Sequence, residues 1–274
     1  MYFCCRCWSW RPPKGGSALI QADKKTWFRR LFFRYQQHYL FPRYLHGLYV
    51  SGDMEGDREG TGAGVPVLYV CNHVSWWDGL VLFQLTEQLS RLDHYIMMDE
   101  QGLRNYPFFR KIGAFSVNRG RPRDMLESMS YAESLLQAGA PVWVFPQGAI
   151  MSPDADIRAA SGIGHLMRRA GWAELRPVTL RYLLGDHQKP LAAVRFGEPV
   201  RRDWSRMDRS EAASEVEVLL REQAAEQRRI LAECPLPGTG NGYEAVWEGG
   251  RRTTADRYRK LKKGVRPWQP FSRH

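Results

Sequence analysis

This 274-residue chain has no long apolar run, few cysteines and no ordered leader. A membrane-spanning helix needs roughly 18 or more apolar residues in a row. The longest apolar stretches here, Val65 to Cys71 and Pro141 to Pro146, have the length of strands. Met1 to Arg6 lacks the basic, apolar and small-residue order of a secretory signal, so none is expected. The five cysteines do not make a metal site: Cys4, Cys5 and Cys7 crowd together, but no second Cys or His pair lies near them. They read as reduced thiols, with Cys71 packed on a strand. No Gly-x-Ser-x-Gly elbow surrounds Ser75, so a serine nucleophile has no support there and helix capping is the better use of that side chain.

What is present is an ordinary globular composition with an unusual charge distribution. Apolar residues make up 43%, enough for one full core, and the length suits one domain with appendages. The net charge is +11, yet residues 1–46 and residues 251–274 each hold nine Lys/Arg against one Asp. The middle of the chain is therefore net acidic. Basic ends fit either nucleic acid or an anionic lipid surface, where each Lys or Arg is worth about 1 kcal/mol. No nucleic-acid-binding module is recognisable, so no nucleic acid is expected as a partner. In the stretch from Thr26 to Tyr35, Trp27, Leu31, Arg34 and Tyr35 follow helical spacing, and aromatics alternate with arginine on to Phe41. That mixture suits the boundary between headgroups and acyl chains. The same helix could instead pack on its own domain, and part of its apolar face could do both. The tail, with Trp268 and Phe271 among its cations, reads as either solvated or in contact with lipid.

Periodicity along the middle predicts strands at 68–71, 94–98, 114–117, 142–145, 174–183 and 191–196. It predicts helices at 79–89, 124–138 and 210–233, with Asp124 and Gly139 as start and stop of the second. Residues 234–250, rich in Pro and Gly, read as a linker. Strands alternating with helices imply an α/β fold with a mostly parallel central sheet flanked by helices. The division expected is a basic aromatic membrane-interface segment at 1–46, a main domain at 47–233, and a linker with basic tail at 234–274. Active groups then belong at strand ends.

Asn72-His73-Val74-Ser75-Trp76-Trp77-Asp78-Gly79 carries the chemistry. Histidine is the usual proton carrier near neutral pH. A carboxylate on one ring nitrogen fixes the tautomer and stabilises the imidazolium formed when the other nitrogen takes a proton. On one regular helix, five residues turn through roughly 500°, so His73 and Asp78 would diverge. They meet only if His73 lies on a turn after the strand and Asp78 in the first turn of the next helix. A His and an Asp at this spacing also arise by chance, and what lies downstream raises the reading above that.

Asn-His-x-x-x-x-Asp after a strand resembles the first motif of the glycerolipid acyltransferase superfamily. Ile112 to Arg119, Phe145-Pro146-Gln147-Gly148 and Arg176-Pro177-Val178 resemble its second, third and fourth motifs, in the family's order. The resemblance spans roughly Val67 to Val200. It implies a glycerolipid-acyltransferase-like fold with an N-terminal interfacial helix, at the cytoplasmic face of a membrane. It implies an acyl group moved from acyl-CoA or acyl-carrier protein to a lipid hydroxyl, most simply that of a lysophosphatidate-type acceptor, with no bound cofactor and no metal. By position, His73 and Asp78 would be catalytic, and Asn72, Arg119, Pro146, Gln147 and Gly148 would bind substrate. Two departures stand out. Gln147 replaces the family's glutamate, and Ala149-Ile150 replaces the polar pair, including an arginine, that normally follows the glycine. These favour a neutral lipid alcohol, such as a carotenoid glycoside, as an alternative acceptor. A non-catalytic membrane-binding protein on the same scaffold is the reading from another class, disfavoured by the presence of both His73 and Asp78.

Overall fold

A computed structural model describes residues 19–55, 65–185, 187–234 and 240–249, with residues 253, 254 and 258. Cys4, Cys5, Cys7 and the tail residues Trp268 and Phe271 lie outside these. The elements in chain order are α1 (Thr26–Tyr35), a π-helical turn (Gln36–Leu40), α2 (Phe41–Tyr44), β1 (Gly47–Ser51), β2 (Val67–Cys71) and α3 (Asp78–Leu89). Next come β3 (Tyr95–Asp99), α4 (Glu100–Asn105), α5 (Phe108–Lys111), β4 (Ala114–Val117), α6 (Pro122–Gln137), β5 (Val142–Val144) and α7 (Ser161–Ala170). β6 (Trp172–Leu183), β7 (Leu191–Phe196), β8 (Val200–Asp203), α8 (Arg209–Glu233) and β9 (Glu244–Glu248) complete the chain.

The strands form one sheet in the order β4-β3-β5-β2-β6-β7-β1-β9, with β8 added to β6. β4, β3, β5, β2 and β6 run parallel. β6 pairs antiparallel with β7, and β7 is parallel to β1. The fold is thus mixed α/β with a mostly parallel centre. β2 shows why the centre reads as an unbroken apolar run: all five residues are buried. Leu68 and Val70 face the α6–α7–α8 layer, while Val67, Tyr69 and Cys71 face the other layer. A strand covered on both faces needs apolar residues at every position.

Most boundaries fall within two residues of expectation, and three differences bear on the reading. α3 begins at Asp78, with Trp77 rather than Ser75 at its N-cap, and the Ser75 hydroxyl accepts the Trp77 N–H at 3.2 Å. α6 starts at Pro122, with Arg121 at its N-cap, because proline is favoured at the first helical position; Asp124 sits inside the first turn. Its stop is as expected: the Gly139 N–H reaches Leu136 O at 3.0 Å and the Ala140 N–H reaches Leu135 O at 3.0 Å, with φ +77° at Gly139. That pair of bonds is a Schellman closure. Within the segment read as a linker, Glu244–Glu248 forms β9, which pairs antiparallel with β1.

The N-terminal segment is also more integrated than expected of an appendage. Phe41 and Leu45 are fully buried in the core, and Phe28, Phe32 and Phe33 pack against α3 and α5. Each buried aromatic or leucine of this kind contributes about 1.5–3 kcal/mol. Lys24 and Arg29 latch the helix through Asp93 and Glu87. The opposite face of α1 remains open, with Trp27 63%, Leu31 58% and Tyr35 44% exposed.

Candidate active site

β2 delivers His73 on the loop beyond its carboxyl end, and α3 opens with Asp78. The geometric condition on their spacing is met. His73 Nδ1 lies 2.8 Å from Asp78 Oδ2, with the carboxylate fully buried and the imidazole 21% exposed. Because Oδ2 accepts, Nδ1 carries the proton and Nε2 is left with its lone pair. The same Oδ2 accepts the Val74 N–H at 2.7 Å and the Ser75 N–H at 2.9 Å, and Oδ1 accepts the Tyr182 hydroxyl at 2.9 Å. Four donors therefore meet the two oxygens of a side chain that has no contact with water. The imidazole also stacks on Phe145, with centroids 4.2 Å apart and planes at 17°.

A second loop, at the end of β5, holds the first. The His73 N–H donates to Gln147 Oε1 at 2.8 Å, and the His73 carbonyl accepts the Met151 N–H at 2.9 Å. Both backbone polar groups of His73 are therefore fixed by the loop that contains Gln147. That loop is anchored in turn by the Ala160 N–H on the Pro146 carbonyl at 2.9 Å. Gly148 has φ +69°, and a Cβ there would lie 2.1 Å from Arg119 Nη1. The positive φ favours glycine, and an added methyl would push the flexible Arg119 guanidinium aside. Arg119 makes no ion pair or hydrogen bond among the described residues; an ion pair with Asp124, the acidic residue next along the chain, is not made, and Asp124 lies 3.9 Å from Arg121.

A cavity of about 650 Å³ opens beside His73. Arg119, Asp99, Pro146 and Gly148 line it near His73, and Ile96, Met98, Met125, Met129, Val144 and Ile163 make much of the rest apolar. Its polar members come from the carboxyl ends of β2, β3, β4 and β5, where an α/β sheet usually places its site. α7, which the periodicity reading passed over, supplies Ile163 and Leu166. Ile163, Leu166 and Met167 sit at helical spacing, so a signal was present.

Not every residue read as a substrate contact faces the cavity. Asn72 is 5% exposed, and its amide is spent on one residue: Nδ2 donates to Leu180 O at 3.0 Å, and Oδ1 accepts the Leu180 N–H at 2.7 Å. It pins β6 where β2 ends. Gln147 does not line the cavity, and its oxygen serves His73. Arg176, in the fourth block, is 1% exposed and holds Glu174 and the Met54 carbonyl, so it too is structural. Tyr182, the fourth donor to Asp78, went unnoticed because it lies 104 residues away in sequence.

Residues 54–181 match the family model described as Acyltransferase. That segment is similar to the acyltransferase family. It contains His73, Asp78, Arg119 and the whole second loop. The 1-acyl-sn-glycerophosphate (LPA) acyltransferase PlsC from Thermotoga maritima aligns at 18% identity with a TM-score of 0.46, over 73% of this chain and 77% of that one. Among curated proteins, none matches.

Proposed function

We propose that this protein is a membrane-associated O-acyltransferase. It moves a fatty acyl group from acyl-CoA or acyl-carrier protein to a lipid hydroxyl, with a lysophosphatidate-type lysophospholipid as acceptor. The observation that carries this reading is the 2.8 Å His73–Asp78 pair on the wall of a largely apolar cavity. In the proposed reaction the acceptor hydroxyl gives its proton to His73 Nε2 as its oxygen attacks the thioester carbonyl. Asp78 stabilises the imidazolium. The tetrahedral intermediate then expels the thiolate, which takes the proton from Nε2.

The oxyanion needs N–H donors, and most of those nearby are already engaged. His73 donates to Gln147, Val74 and Ser75 to Asp78, Trp77 to Ser75, Gly148 to Phe145 and Met151 to His73. Trp76, Ala149 and Ile150 keep theirs, and we assign the oxyanion to that group. Arg119, unpaired at the cavity, is assigned the acceptor phosphate.

One observation favours a second acceptor. Ile150, which stands where the resemblance places an arginine, is 50% exposed and lines the cavity. An apolar side chain there suits a neutral lipid alcohol such as a carotenoid glycoside. Gln147 no longer argues for it, because its oxygen is committed to His73. Purified protein with an acyl-CoA series and both acceptors tests the assignment. Turnover of lysophosphatidate that is lost in His73→Ala supports the first reading, turnover of the neutral alcohol alone the second, and turnover of neither removes the function.

Membrane docking at the cytoplasmic face is supported by the open face of α1. Ring contacts run from Tyr35 through Phe32, Phe108 and Tyr106 to Trp76. Trp76 and Tyr106 line the cavity, so a lipid surface under α1 meets its mouth. No helix among the described residues is long and apolar enough to cross a membrane. Replacing Trp27 and Leu31 by serine is expected to release the protein from anionic liposomes more fully than 1 M salt does, since insertion is apolar whereas charge contacts are screened within about 3 Å at that ionic strength. Full release of the parent protein by salt alone would remove the insertion.

A further inference from the structure

Asp78 has two oxygens, and they are served differently. Oδ2 receives His73 Nδ1–H and the Val74 and Ser75 N–H groups; Oδ1 receives Tyr182 alone. Nothing else among the described residues donates to Oδ1, and the Asp78 side chain has no solvent exposure. Burial together with the Asp78 charge raises the Tyr182 phenol well above its ordinary pKa, so it remains a donor. Tyr182 enters from β6, one residue past the end of the segment that matches the acyltransferase family, on the strand that pairs directly with β2.

We infer that Tyr182 is a positioning residue for acyl transfer, acting through Asp78 to hold the carboxylate in the rotation that presents Oδ2 to His73. The inference rests on His73 being the base. Its physical content is simple. A carboxylate turns about its Cβ–Cγ bond with little resistance. Three donors crowd one oxygen and only Tyr182 fixes the other. Without that hydroxyl, Oδ1 is a buried, charged acceptor with no partner, and such a group turns toward any donor or takes up a proton. Either outcome loosens the imidazole that must receive the acceptor's proton.

The test is Tyr182→Phe, which keeps the ring and removes one oxygen. Turnover is expected to fall roughly 10- to 100-fold, the usual cost of a lost hydrogen bond to a buried charge, with KM for acyl-CoA unchanged. The fall should vanish when the same change is made in Asp78→Asn, because the two act as a unit. The second readout needs no turnover. The proton between His73 Nδ1 and Asp78 gives a downfield NMR resonance, expected to be sharp in the parent and broadened or shifted in Tyr182→Phe. Parent-like turnover, equal losses in both backgrounds, or an unchanged resonance overturns the assignment. If Tyr182→Phe does not fold, 3-fluorotyrosine at position 182 replaces it, which keeps the hydroxyl and changes its strength as a donor: a change in turnover that vanishes in Asp78→Asn supports the contact, and an equal change in both backgrounds or none overturns it. A parent protein that transfers no acyl group removes the function but leaves the resonance to decide the role of Tyr182.

Discussion

The loop after β2 and the loop after β5 meet at His73 but are built on opposite plans. The first, 72–78, is turned on itself: Asp78 draws in two N–H groups and the imidazole from the five residues before it. The second, 145–151, is turned outward: Gln147 and Met151 spend hydrogen bonds on His73, and Gly148 makes room for Arg119. One loop therefore orients the His73 imidazole and the other fixes its backbone beside the cavity. The difference explains how a glutamine can stand in the third motif. The task its oxygen performs is to accept an N–H, which an amide and a carboxylate both do.

Four measurements break or sharpen this contrast. His73→Ala removes the base while the Asp78 contacts to Val74 and Ser75 keep the turn, so turnover is expected to drop between about 10²- and 10⁴-fold with an unchanged circular dichroism spectrum. Retained turnover in the folded variant would end the general-base assignment. Gly148→Ala attacks the outward loop. The added methyl meets the Arg119 guanidinium, and the positive φ is strained, so a displacement of about 1 Å is expected to cost roughly 100-fold. A KM for lysophosphatidate equal to that of the parent would show that Arg119 does not hold the acceptor.

Gln147→Ala leaves the His73 N–H without its acceptor, and about tenfold loss is expected. Gln147→Glu restores an acceptor, so its activity should lie near that of the parent. If glutamate proves as damaging as alanine, the contrast between the loops is wrong. The smallest effect lies far from both loops. Lys24 faces Asp93, Arg29 and Glu87 and lies 3.5 Å above the Tyr95 ring. Burial lowers its pKa from 10.5 to about 8. The unfolded chain holds that proton to higher pH than the folded one, so stability rises as pH climbs from 8 to 10.5. The stability difference between parent and Lys24→Met should rise over that window, measured by urea unfolding. A flat difference would mean that Lys24 keeps its ordinary value.

The strands at 114–117 and 191–196 were legible to the residue, because period and punctuation agree there. So were the His73–Asp78 pairing and the position of Arg119 at a strand end beside the cavity, since five residues and one strand end are local geometry. What escaped was pairing at a distance. β9 was hidden by its Gly and Pro neighbours, and its partner β1 lies almost two hundred residues earlier. Asn72 resembled a substrate contact until Leu180 took both ends of its amide. Gln147 resembled one until His73 took its oxygen.

By itself the sequence determined the elements, the apolar centre of the sheet and the turn that joins base to carboxylate, because each follows from residues within one or two turns of each other. Only the tertiary structure decided which polar side chains remain free at the cavity. A hydrogen bond satisfied from a neighbouring strand distant in sequence leaves no trace in local spacing, yet it separates Arg119, free to meet a ligand, from Asn72 and Gln147, already engaged, and it brings Tyr182 to Asp78.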